Sequence, residues 1–398
     1  MSEAPTHPLL FCMGNPLLDM QVSNGEALLQ KYNLKANDAI LADENQMGIY
    51  DDVTKDYKVT YVAGGAAQNA ARAAAYVLPP NHVVYVGAVG KDALAEQLEK
   101  ANDKEGVKSA YQVVEDDKTG ACAVVLTGHD RSLVTTLRAA EKFSPAHLAD
   151  PTIKSYIDHA KFFYIGGFFL THGIESALHV AKSAAGRGKV VVLNLSAPFI
   201  PQFFKQQLDQ LLMYVDILIG NESEAASYAE AQGMAVSHVL PFNPSKANHS
   251  QTSYSLPSYS LHSQDSSVAQ IATAIANLPK SNASRPRLVI ITQGSESTLV
   301  ASSSPSSSPS SSALSGAQKC NLSASDPNPK TYPVPKLDDS QIVDTNGAGD
   351  AFAGGFLGAH VLGKSLDECI EVGHRLGQRC VGQVGPTFGD RVDILKDL

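Results

Sequence analysis

The sequence of 398 residues contains little cysteine, and the thiols it has are scattered. Its five cysteines are Cys12, Cys122, Cys320, Cys369 and Cys380, and no two of them form a CxxC pair. An odd number of dispersed cysteines argues against a disulfide scaffold and against a zinc site. We therefore expect reduced thiols and a cytoplasmic protein, with an additional nuclear location left open.

Long apolar runs and clusters of positive charge are also missing. The longest strongly apolar stretch, residues 162–170, is well short of the roughly 20 residues of a membrane span. The N-terminus lacks the basic region that precedes a signal sequence. The net charge is −9, and a nucleic-acid surface would need a basic cluster that the sequence does not contain. The sequence thus predicts a protein that binds neither membranes nor nucleic acid.

The chain has the composition of a large globular α/β protein. Hydrophobic residues make up 43% of it and charged residues 18%, which is ordinary for a chain able to bury a large core. Apolar strand-like runs at residues 161–170, 189–195 and 216–220 alternate with helical patterns at 175–186 and 202–212. Continuous Val, Ile and Leu runs of this kind suit a parallel sheet covered on both faces.

A glycine-bearing turn at residues 344–352, DTNGAGDAF, is the most distinctive local feature. We predict a short strand at 340–343 before it and a helix at 351–362 after it. Gly347 and Gly349 allow positive φ and a close approach of the backbone to a ligand. Because the first amides of a helix lack intrahelical partners and lie at the positive end of its dipole, a phosphate would sit well here.

Asp350 follows the second glycine of this turn. During phosphoryl transfer a carboxylate at this point can accept the proton of an attacking hydroxyl. Such a weak base is sufficient when bond breaking leads and proton loss comes late. The alternative is a helix N-cap Asp after a glycine turn, and the motif alone leaves both readings open.

Other polar residues lie near the predicted strands. Asp19 comes just beyond the first strand, residues 9–14, where a carboxylate can hold the two hydroxyls of a ribose diol. A turn Asp that caps the next segment is the alternative. Gly64 and Gly65 precede Asn69 and an alanine-rich helix. They allow either the close approach of a sugar or a tight helix-packing turn.

Two further pairs each have two interpretations. Asn221 and Glu224 share a helical face after a strand, which suits Mg²⁺ held mostly through water, or a capping box. Phe169 and Phe199 fall just after two strands, where an aromatic ring can stack on a purine or join the core.

Shorter strand patterns predict a small second sheet at residues 39–41, 57–62, 120–126 and 133–137. Arg131 lies between the last two, where an arginine can be an exposed surface residue. Polar, serine-rich tracts at about 244–267 and 301–330 cannot bury enough apolar surface to fold, so they are interpreted as surface inserts.

Several ordered motifs resemble those of the ribokinase-like (PfkB) sugar and nucleoside kinases. Residues 64–69 and 87–92 resemble the first signature of that family, and residues 344–352 resemble the second. The resemblance runs from about residue 10 to about residue 390. The stretches that resemble its nucleoside kinases are residues 14–19, 167–171, 193–199 and 215–222.

The resemblance implies a ribokinase-like three-layer α/β/α fold with a mostly parallel central sheet and a small β-sheet lid. It implies a large nucleotide-binding α/β domain and a smaller lid domain that would cover the sugar. The large domain would comprise residues 1–16, 64–108 and 138–398, and the lid residues 17–63 and 109–137.

The implied activity is the ATP-dependent phosphorylation of the 5′-hydroxyl of adenosine, giving AMP and ADP in purine salvage. Mg²⁺ would accompany ATP, the protein would be a monomer, and dependence on a monovalent cation is left open. Asp350 would be the general base, Gly347, Ala348 and Gly349 would neutralise the moving charge, and Arg131 would close over the phosphate. The residues implied for adenosine are Asn15, Leu17, Asp19, Gly64, Gly65, Asn69, Phe169 and Phe199. Those implied for ATP are Asn221, Thr292, Gly294, Asn346 and His374, with Asn221 and Glu224 ordering the metal.

Two other functions are compatible with these motifs. The first is a kinase of the same family that acts on ribose, fructose or guanosine. The second is a catalytically silent nucleoside sensor that kept the pocket, against which the retention of Asp350 argues.

Overall fold

The computed structural model of the chain describes residues 7–35, 39–127, 130–234, 261–282, 285–303, 329–390 and 392–398. Within these ranges, no helix is both long enough and apolar enough to cross a membrane. Most of the two predicted inserts, residues 244–260 and 304–328, lies outside the described residues. The end of the first predicted insert, residues 261–267, belongs to a helix and corrects that boundary.

The described strands are β1 (Leu10–Met13), β2 (Leu17–Ser23), β3 (Ala39–Leu41), β4 (Thr60–Gly64), β5 (Val83–Val86), β6 (Ala88–Gly90), β7 (Val107–Ser109), β8 (Gln112–Val114), β9 (Gly120–Thr127), β10 (Asp130–Thr136), β11 (Phe162–Gly166), β12 (Val190–Asn194), β13 (Ile217–Asn221), β14 (Leu288–Thr292), β15 (Ser297–Ser302) and β16 (Lys330–Pro333). The helices are α1 (Glu26–Lys31), α2 (Ile49–Asp56), α3 (Ala66–Val77), α4 (Ala93–Glu105), α5 (Pro145–Leu148), α6 (Pro151–His159), α7 (Ile174–Gly186), α8 (Phe199–Phe203), α9 (Lys205–Leu212), α10 (Glu222–Ala231), α11 (Leu261–Ala276), α12 (Ala348–Val361) and α13 (Leu366–Val381).

The central sheet is mostly parallel, as predicted. Its strand order is β16-β15-β14-β13-β12-β11-β1-β5-β7, and only the β14–β15 and β15–β16 pairs among the described strands of this sheet are antiparallel. Side chains alternate between two cores: Val191 and Leu193 pack on one face with α6, α7, α9, α10 and α11, and Val190 and Val192 pack on the other with α3, α12 and α13. The chain therefore forms three layers, α/β/α.

A separate five-stranded sheet, in the order β3-β10-β9-β2-β4, confirms the predicted small sheet. We call this sheet the lid. Met20 and Val22 of β2 pack with α1 and α2, so Asp19 and Gln21 face the opposite side of the sheet. The sequence analysis placed Asp19 just beyond the first strand and did not predict β2. The alternative of a turn Asp is wrong, because Asp19 lies within β2.

Two other local predictions also need correction. Residues 340–343 do not form a strand, because a capping box between Asp338 and Gln341 closes a 3₁₀ turn at Asp339–Gln341. The helix predicted at 202–212 is split into α8 and α9, with Phe204 between them.

Helices α3 and α12 lie unusually close together on the sheet. A Cβ on Gly354 would come within 2.3 Å of the Ala70 carbonyl oxygen, and one on Gly358 within 2.6 Å of the Val77 Cβ. Alanines supply most of the facing surface of α3, including Ala73 and Ala74. Small residues on both helices thus permit a backbone separation that larger side chains would prevent.

Arg287, immediately before β14, is fully buried and binds backbone rather than carboxylate. Its guanidinium donates to the carbonyl oxygens of Val215 at 3.1 Å, Ile275 at 3.0 Å, Leu278 at 2.8 Å, Leu212 at 2.7 Å and Pro279 at 3.2 Å. Several of these carbonyls lie at the C-terminal ends of α9 and α11, where a cation is favourable. One side chain therefore joins two helices to the sheet.

Replacing this guanidinium should be costly for stability. We expect Arg287→Met to lower the free energy of unfolding by at least about 3 kcal/mol, because it leaves several buried carbonyls without a donor. Urea unfolding followed by circular dichroism measures the change. Arg187→Met is the matched control, since the side chain of Arg187 is 48% exposed and pairs with Asp158 on the surface. Equal losses in the two variants would contradict the role of Arg287.

Candidate active site

The glycine-bearing turn delivers Asp350 into the first turn of α12. Gly347 is the N-cap and has φ +76°, and Gly349 has open space where a Cβ would stand. Asp344 stabilises the turn, because its Oδ1 accepts from the Asn346 amide at 2.9 Å. The helix tip can therefore hold an anion beside Asp350, as the sequence suggested.

Asp350 is hydrogen-bonded to Asn69 of α3. The Nδ2 atom of Asn69 donates to Oδ2 of Asp350 at 3.0 Å, and Oδ1 of Asn69 accepts from Arg72 at 2.8 Å. The second contact fixes which end of the Asn69 amide faces Asp350. The predicted residues Asn69 and Asp350 are thus adjacent, although 281 positions separate them in the chain.

Gly64 and Gly65 serve as a tight packing turn. A Cβ on Gly64 would lie 2.3 Å from Oδ1 of Asp19, and Gly65 has φ +85° with Asn15 backbone oxygen 2.3 Å from its would-be Cβ. These contacts match the packing alternative of the sequence analysis. The space beside Gly64 is filled by Asp19, which brings the carboxylate close to the start of α3.

Two carboxyl groups lie in this site: Asp19, which is 7% exposed, and Asp350, which is half-buried. Burial raises the pKa of Asp19 to about 7, while the positive charges of Arg131 and Arg72 oppose that rise and the charge of Asp344 adds to it. Burial also raises the pKa of Asp350 to about 7, and the hydrogen bond from Asn69 opposes that rise. The two carboxylates interact directly, since the charge of Asp19 raises the pKa of Asp350.

Arg131 lies within β10 of the lid, opposite Leu126, and not between two strands as predicted. Its Nη2 donates to Oδ2 of Asp344 at 2.6 Å, and the two side chains are 14% and 8% exposed. Asp344 Oδ2 also accepts from the Gly385 amide at 2.7 Å. The predicted phosphate ligand is therefore an ion-pair partner of the glycine turn, and this pair connects the lid to the tip of α12.

Asn221 and Glu224 form the capping box that was one of the two predicted readings. Asn221 Oδ1 accepts from the Glu224 amide at 2.9 Å, and Glu224 Oε2 accepts from the Asn221 amide at 3.0 Å. Burial, together with the charge of Asp350, raises the pKa of Glu224 to about 7. Among the described residues no group of three or more His, Cys, Asp and Glu could hold a metal. An amide oxygen and one carboxylate suit Mg²⁺ that keeps waters and nucleotide phosphates as its other ligands.

The remaining predicted ATP residues lie at the carboxyl ends of strands or near the α12 tip. Thr292 Oγ1 donates to the Gly220 carbonyl at 3.4 Å, and Gly294 has φ +57° with open space around it. His374 is buried, with its Nε2 2.9 Å from Thr298 Oγ1. Burial lowers the pKa of His374. Asn346 is half-buried in the turn itself.

The aromatic pair differs from the prediction. Phe169 is fully buried, with its ring centroid 5.4 Å from that of Phe143 and 5.0 Å from that of His172. It belongs to the core because residues 167–171 turn as a 3₁₀ helix after β11 and carry its ring inward. Phe168 is half-buried instead, 5.8 Å from half-buried Phe199. The ring available beside Phe199 is therefore Phe168.

Asn15 is held by protein groups on both ends of its amide. Its Oδ1 accepts from His172 Nε2 at 2.9 Å, and its Nδ2 lies 3.4 Å from the Phe168 carbonyl oxygen. Burial lowers the pKa of His172 to about 4, so the imidazole is neutral at pH 7. Leu17, half-buried, begins β2 two residues later.

The sequence analysis missed four residues of this site: Arg72, Asp344, Phe168 and His172. One of them had a usable signal. Arg72 follows Asn69 by three positions in an alanine-rich helix, so the two side chains share a face. The others become recognisable only when the 3₁₀ turn and the lid are placed in space.

The chain is similar over nearly its whole length to known proteins. Residues 27–392 match the model of the pfkB family of carbohydrate kinases. The adenosine kinase of Schizophyllum commune is 50% identical over 379 residues, which cover 95% of this chain and 96% of that protein.

Solved structures show the same similarity. The structure of Anopheles gambiae adenosine kinase in complex with P1,P4-di(adenosine-5) tetraphosphate is 37% identical, with a TM-score of 0.81 and coverage of 98% of this chain and 99% of that one. That of Schistosoma mansoni adenosine kinase in complex with 2-fluoroadenosine is 31% identical, with a TM-score of 0.79 and coverage of 98% and 99%. These similarities confirm the ribokinase-like fold class.

The two glycines of the turn should respond differently to an added methyl group. Gly347→Ala should lower the free energy of unfolding by about 1–3 kcal/mol, because the residue has positive φ and its Cβ would meet Pro386 at 2.7 Å. Gly349→Ala is the matched control, and its stability should be unchanged or slightly higher, since Ala is helical at no steric cost there. Thermal unfolding of both variants measures the difference. A Gly347→Ala protein as stable as the parent would refute the strained turn.

Proposed function

The chain belongs to the pfkB family of carbohydrate kinases, and we propose that it uses the pocket at the tip of α12 for its reaction. It is an enzyme that transfers the γ-phosphoryl group of ATP to adenosine, giving AMP and ADP. The 50% identity to an adenosine kinase over 95% of the chain is the observation that carries this conclusion. It also argues against the silent-sensor alternative.

Asp350 accepts the proton of the 5′-hydroxyl in this proposal. Its carboxylate lies in the first turn of α12 and is oriented by the 3.0 Å hydrogen bond from Asn69. Burial makes it a stronger base than an exposed Asp, since its pKa is raised to about 7. That value suits a general base near neutral pH. The proton transfer comes late, because bond breaking to the leaving phosphate leads.

The charge that develops during transfer lies against the amides of residues 347–349. Gly349 leaves open space for a phosphate, and the dipole of α12 favours negative charge there. Arg131 is 2.6 Å from Asp344 of the same turn, so a short movement brings it to the phosphate. In this proposal Arg131 exchanges a carboxylate for a phosphate when ATP binds, and the lid closes over the reactants.

Asp19 holds the ribose hydroxyls. It faces away from α1 and α2 toward the site, and ionised carboxylate oxygens accept from two neighbouring hydroxyls at once. Phe199 and Phe168, whose ring centroids are 5.8 Å apart, offer a partly exposed aromatic face for the purine. Asn15 contributes by positioning, because both ends of its amide are already bonded to protein.

Thr292, Gly294, Asn346 and His374 surround ATP in this proposal. Asn221 and Glu224 would hold Mg²⁺, which when bound supplies neutralisation of the phosphate charges. Since Glu224 and Asp350 interact electrostatically, the nucleotide phosphates lie close to the base.

A substrate panel tests the function. Purified protein is mixed with ATP and adenosine, guanosine, ribose or fructose, and the release of ADP is followed in a coupled assay. We expect adenosine to give the highest kcat/KM. A diol acceptor with an aromatic pair favours a nucleoside over a free sugar, and the 50% identity to an adenosine kinase favours adenosine over guanosine. Faster turnover of a free sugar or of guanosine would replace this function by that of the corresponding kinase.

Replacing the base tests the mechanism. Asp350→Asn should lower kcat by about 10²–10⁴-fold, the usual contribution of a general base. Adenosine affinity, measured by calorimetry, should stay within a few fold, because Asn has the same shape and keeps a partner for Asn69. Near-normal kcat in a folded Asp350→Asn protein is incompatible with the assignment.

A further inference from the structure

Arg72 is a buried cation that no step of the reaction above uses. It lies in α3 and is 3% exposed. Its Nη2 donates to the carbonyl oxygen of Ala63 at 2.7 Å, to Oδ1 of Asn69 at 2.8 Å and to the carbonyl oxygen of Pro386 at 3.2 Å. These partners belong to the lid strand β4, to α3 itself and to the turn after α13. Arg72 therefore connects three segments around the site.

The charge of Arg72 is not neutralised by a contacting carboxylate. Its three bonded oxygens are all uncharged, and no described Asp or Glu forms an ion pair with it. Its Nε is buried with no hydrogen-bond partner in the described part of the chain. The groups that act electrostatically on Arg72 are Glu105 first, then Tyr111, Asp19 and Asp350. The positive charge of Arg72 thus acts on both site carboxylates without forming an ion pair with either.

We propose that Arg72 is a positioning residue that aims the Asn69 amide at Asp350 and, with its fixed positive charge, favours the ionised forms of Asp350 and Asp19. This inference rests on the proposed roles of Asp350 as base and Asp19 as diol ligand. Burial alone drives both carboxyls toward their neutral forms, and a neutral Asp350 cannot accept a proton. The positive charge of Arg72 lowers the pKa of both groups against that tendency.

Arg72 is the permanent cation of the site, whereas Arg131 is mobile in the proposed reaction. Arg131 belongs to the lid and pairs with Asp344, which it leaves when a phosphate is present. Arg72 cannot make this exchange, because its Nη2 is bonded to two backbone carbonyls on elements of the fold. It is therefore the cation that remains beside Asp350 in every stage of the cycle.

The orientation argument is independent of the charge. Oδ1 of Asn69 accepts from Arg72, so only the NH₂ end of the amide is free to face Asp350. Without a donor at position 72 the amide can turn over. Its oxygen would then meet the carboxylate and repel the ionised form.

Other charged and titratable groups also act on these sites and set the background of any pH profile. The pKa of Asp350 is affected by Asn69, Asp19 and Arg72. The charge of Asp350 in turn raises the pKa values of Glu224 in α10, Tyr164 in β11 and Cys380 in α13. The pKa of Asp19 is lowered by the charge of Arg131 in β10 and raised by that of Asp344. The pKa of Arg72 is raised by the charges of Glu105 in α4 and Tyr111.

The test is the pH dependence of kcat/KM for adenosine at saturating ATP. Asp350 works ionised, so activity falls as the pH drops through its pKa, and a raised pKa moves this acid limb to higher pH. We expect Arg72→Gln to move the limb upward by about one unit, as for loss of a nearby opposite charge. At pH values below both acid limbs, the kcat/KM of Arg72→Gln should be about tenfold lower relative to the parent than at high pH. At pH values above both limbs, part of its activity should return.

Arg72→Lys separates charge from geometry. It keeps a cation near the same place, so its acid limb should stay within about 0.3 unit of the parent. Its kcat should fall, because an ammonium does not reproduce the guanidinium contacts. Lys280→Gln is the matched control, since Lys280 is a buried cation paired with Asp216 away from the site. Its limb should not move.

Two results would overturn the proposal. One is a folded Arg72→Gln protein with the acid limb of the parent, and the other is an Arg72→Lys limb that moves by a full unit. If Arg72→Gln does not fold, the acid limb of Arg72→Lys is the test, and a shift of a full unit overturns the proposal. Asp350→Asn separates this failure from that of the base assignment: an unmoved limb with an inactive Asp350→Asn protein removes only Arg72. A fully active Asp350→Asn protein removes the base itself.

Discussion

The close contact between α3 and α12 is the constraint on which the site depends. Helix α12 carries Asp350 and α3 carries Asn69, and their 3.0 Å hydrogen bond exists only because the two backbones nearly touch. Glycine on one helix and alanine on the other make that approach possible. Both helices pack on the same face of the parallel sheet, so the position of the Asp350 carboxylate is set by the core and not by a loop. The apolar packing and the chemistry are therefore one arrangement.

Burial creates an electrostatic problem that the surrounding residues solve together. Three carboxyl groups, Asp19, Asp350 and Glu224, have raised pKa values because little water reaches them. The guanidinium of Arg131 in the lid acts on Asp19, and that of Arg72 in α3 acts on both Asp19 and Asp350. Low dielectric also strengthens every one of these interactions relative to water. Burial thus raises the basicity of Asp350, and it also makes nearby positive charges necessary for the ionised form.

Much of this could be predicted from the sequence, for identifiable reasons. Apolar runs separated by helical patterns fix the parallel sheet, and the glycine turn before α12 marks the anion site and Asp350. The failures have physical causes as well. The strand β2 was missed because it follows β1 after only three residues and carries the charged Asp19 in its middle. Phe169 and Phe168 exchange places because a 3₁₀ turn changes which ring points inward. The pairing of Arg131 with Asp344 joins residues 213 positions apart, which no local pattern contains.

The ion pair between Arg131 and Asp344 has a consequence for the end of each catalytic cycle. If Arg131 binds the nucleotide as proposed, Asp344 competes with the phosphates for the same guanidinium, and the ion pair lowers the affinity for ATP. By linkage, the release of the phosphates would favour return of Arg131 to Asp344. Product departure and lid opening would then be favoured by this ion pair. The affinity for ATP would then be lower, and the release of products would be faster.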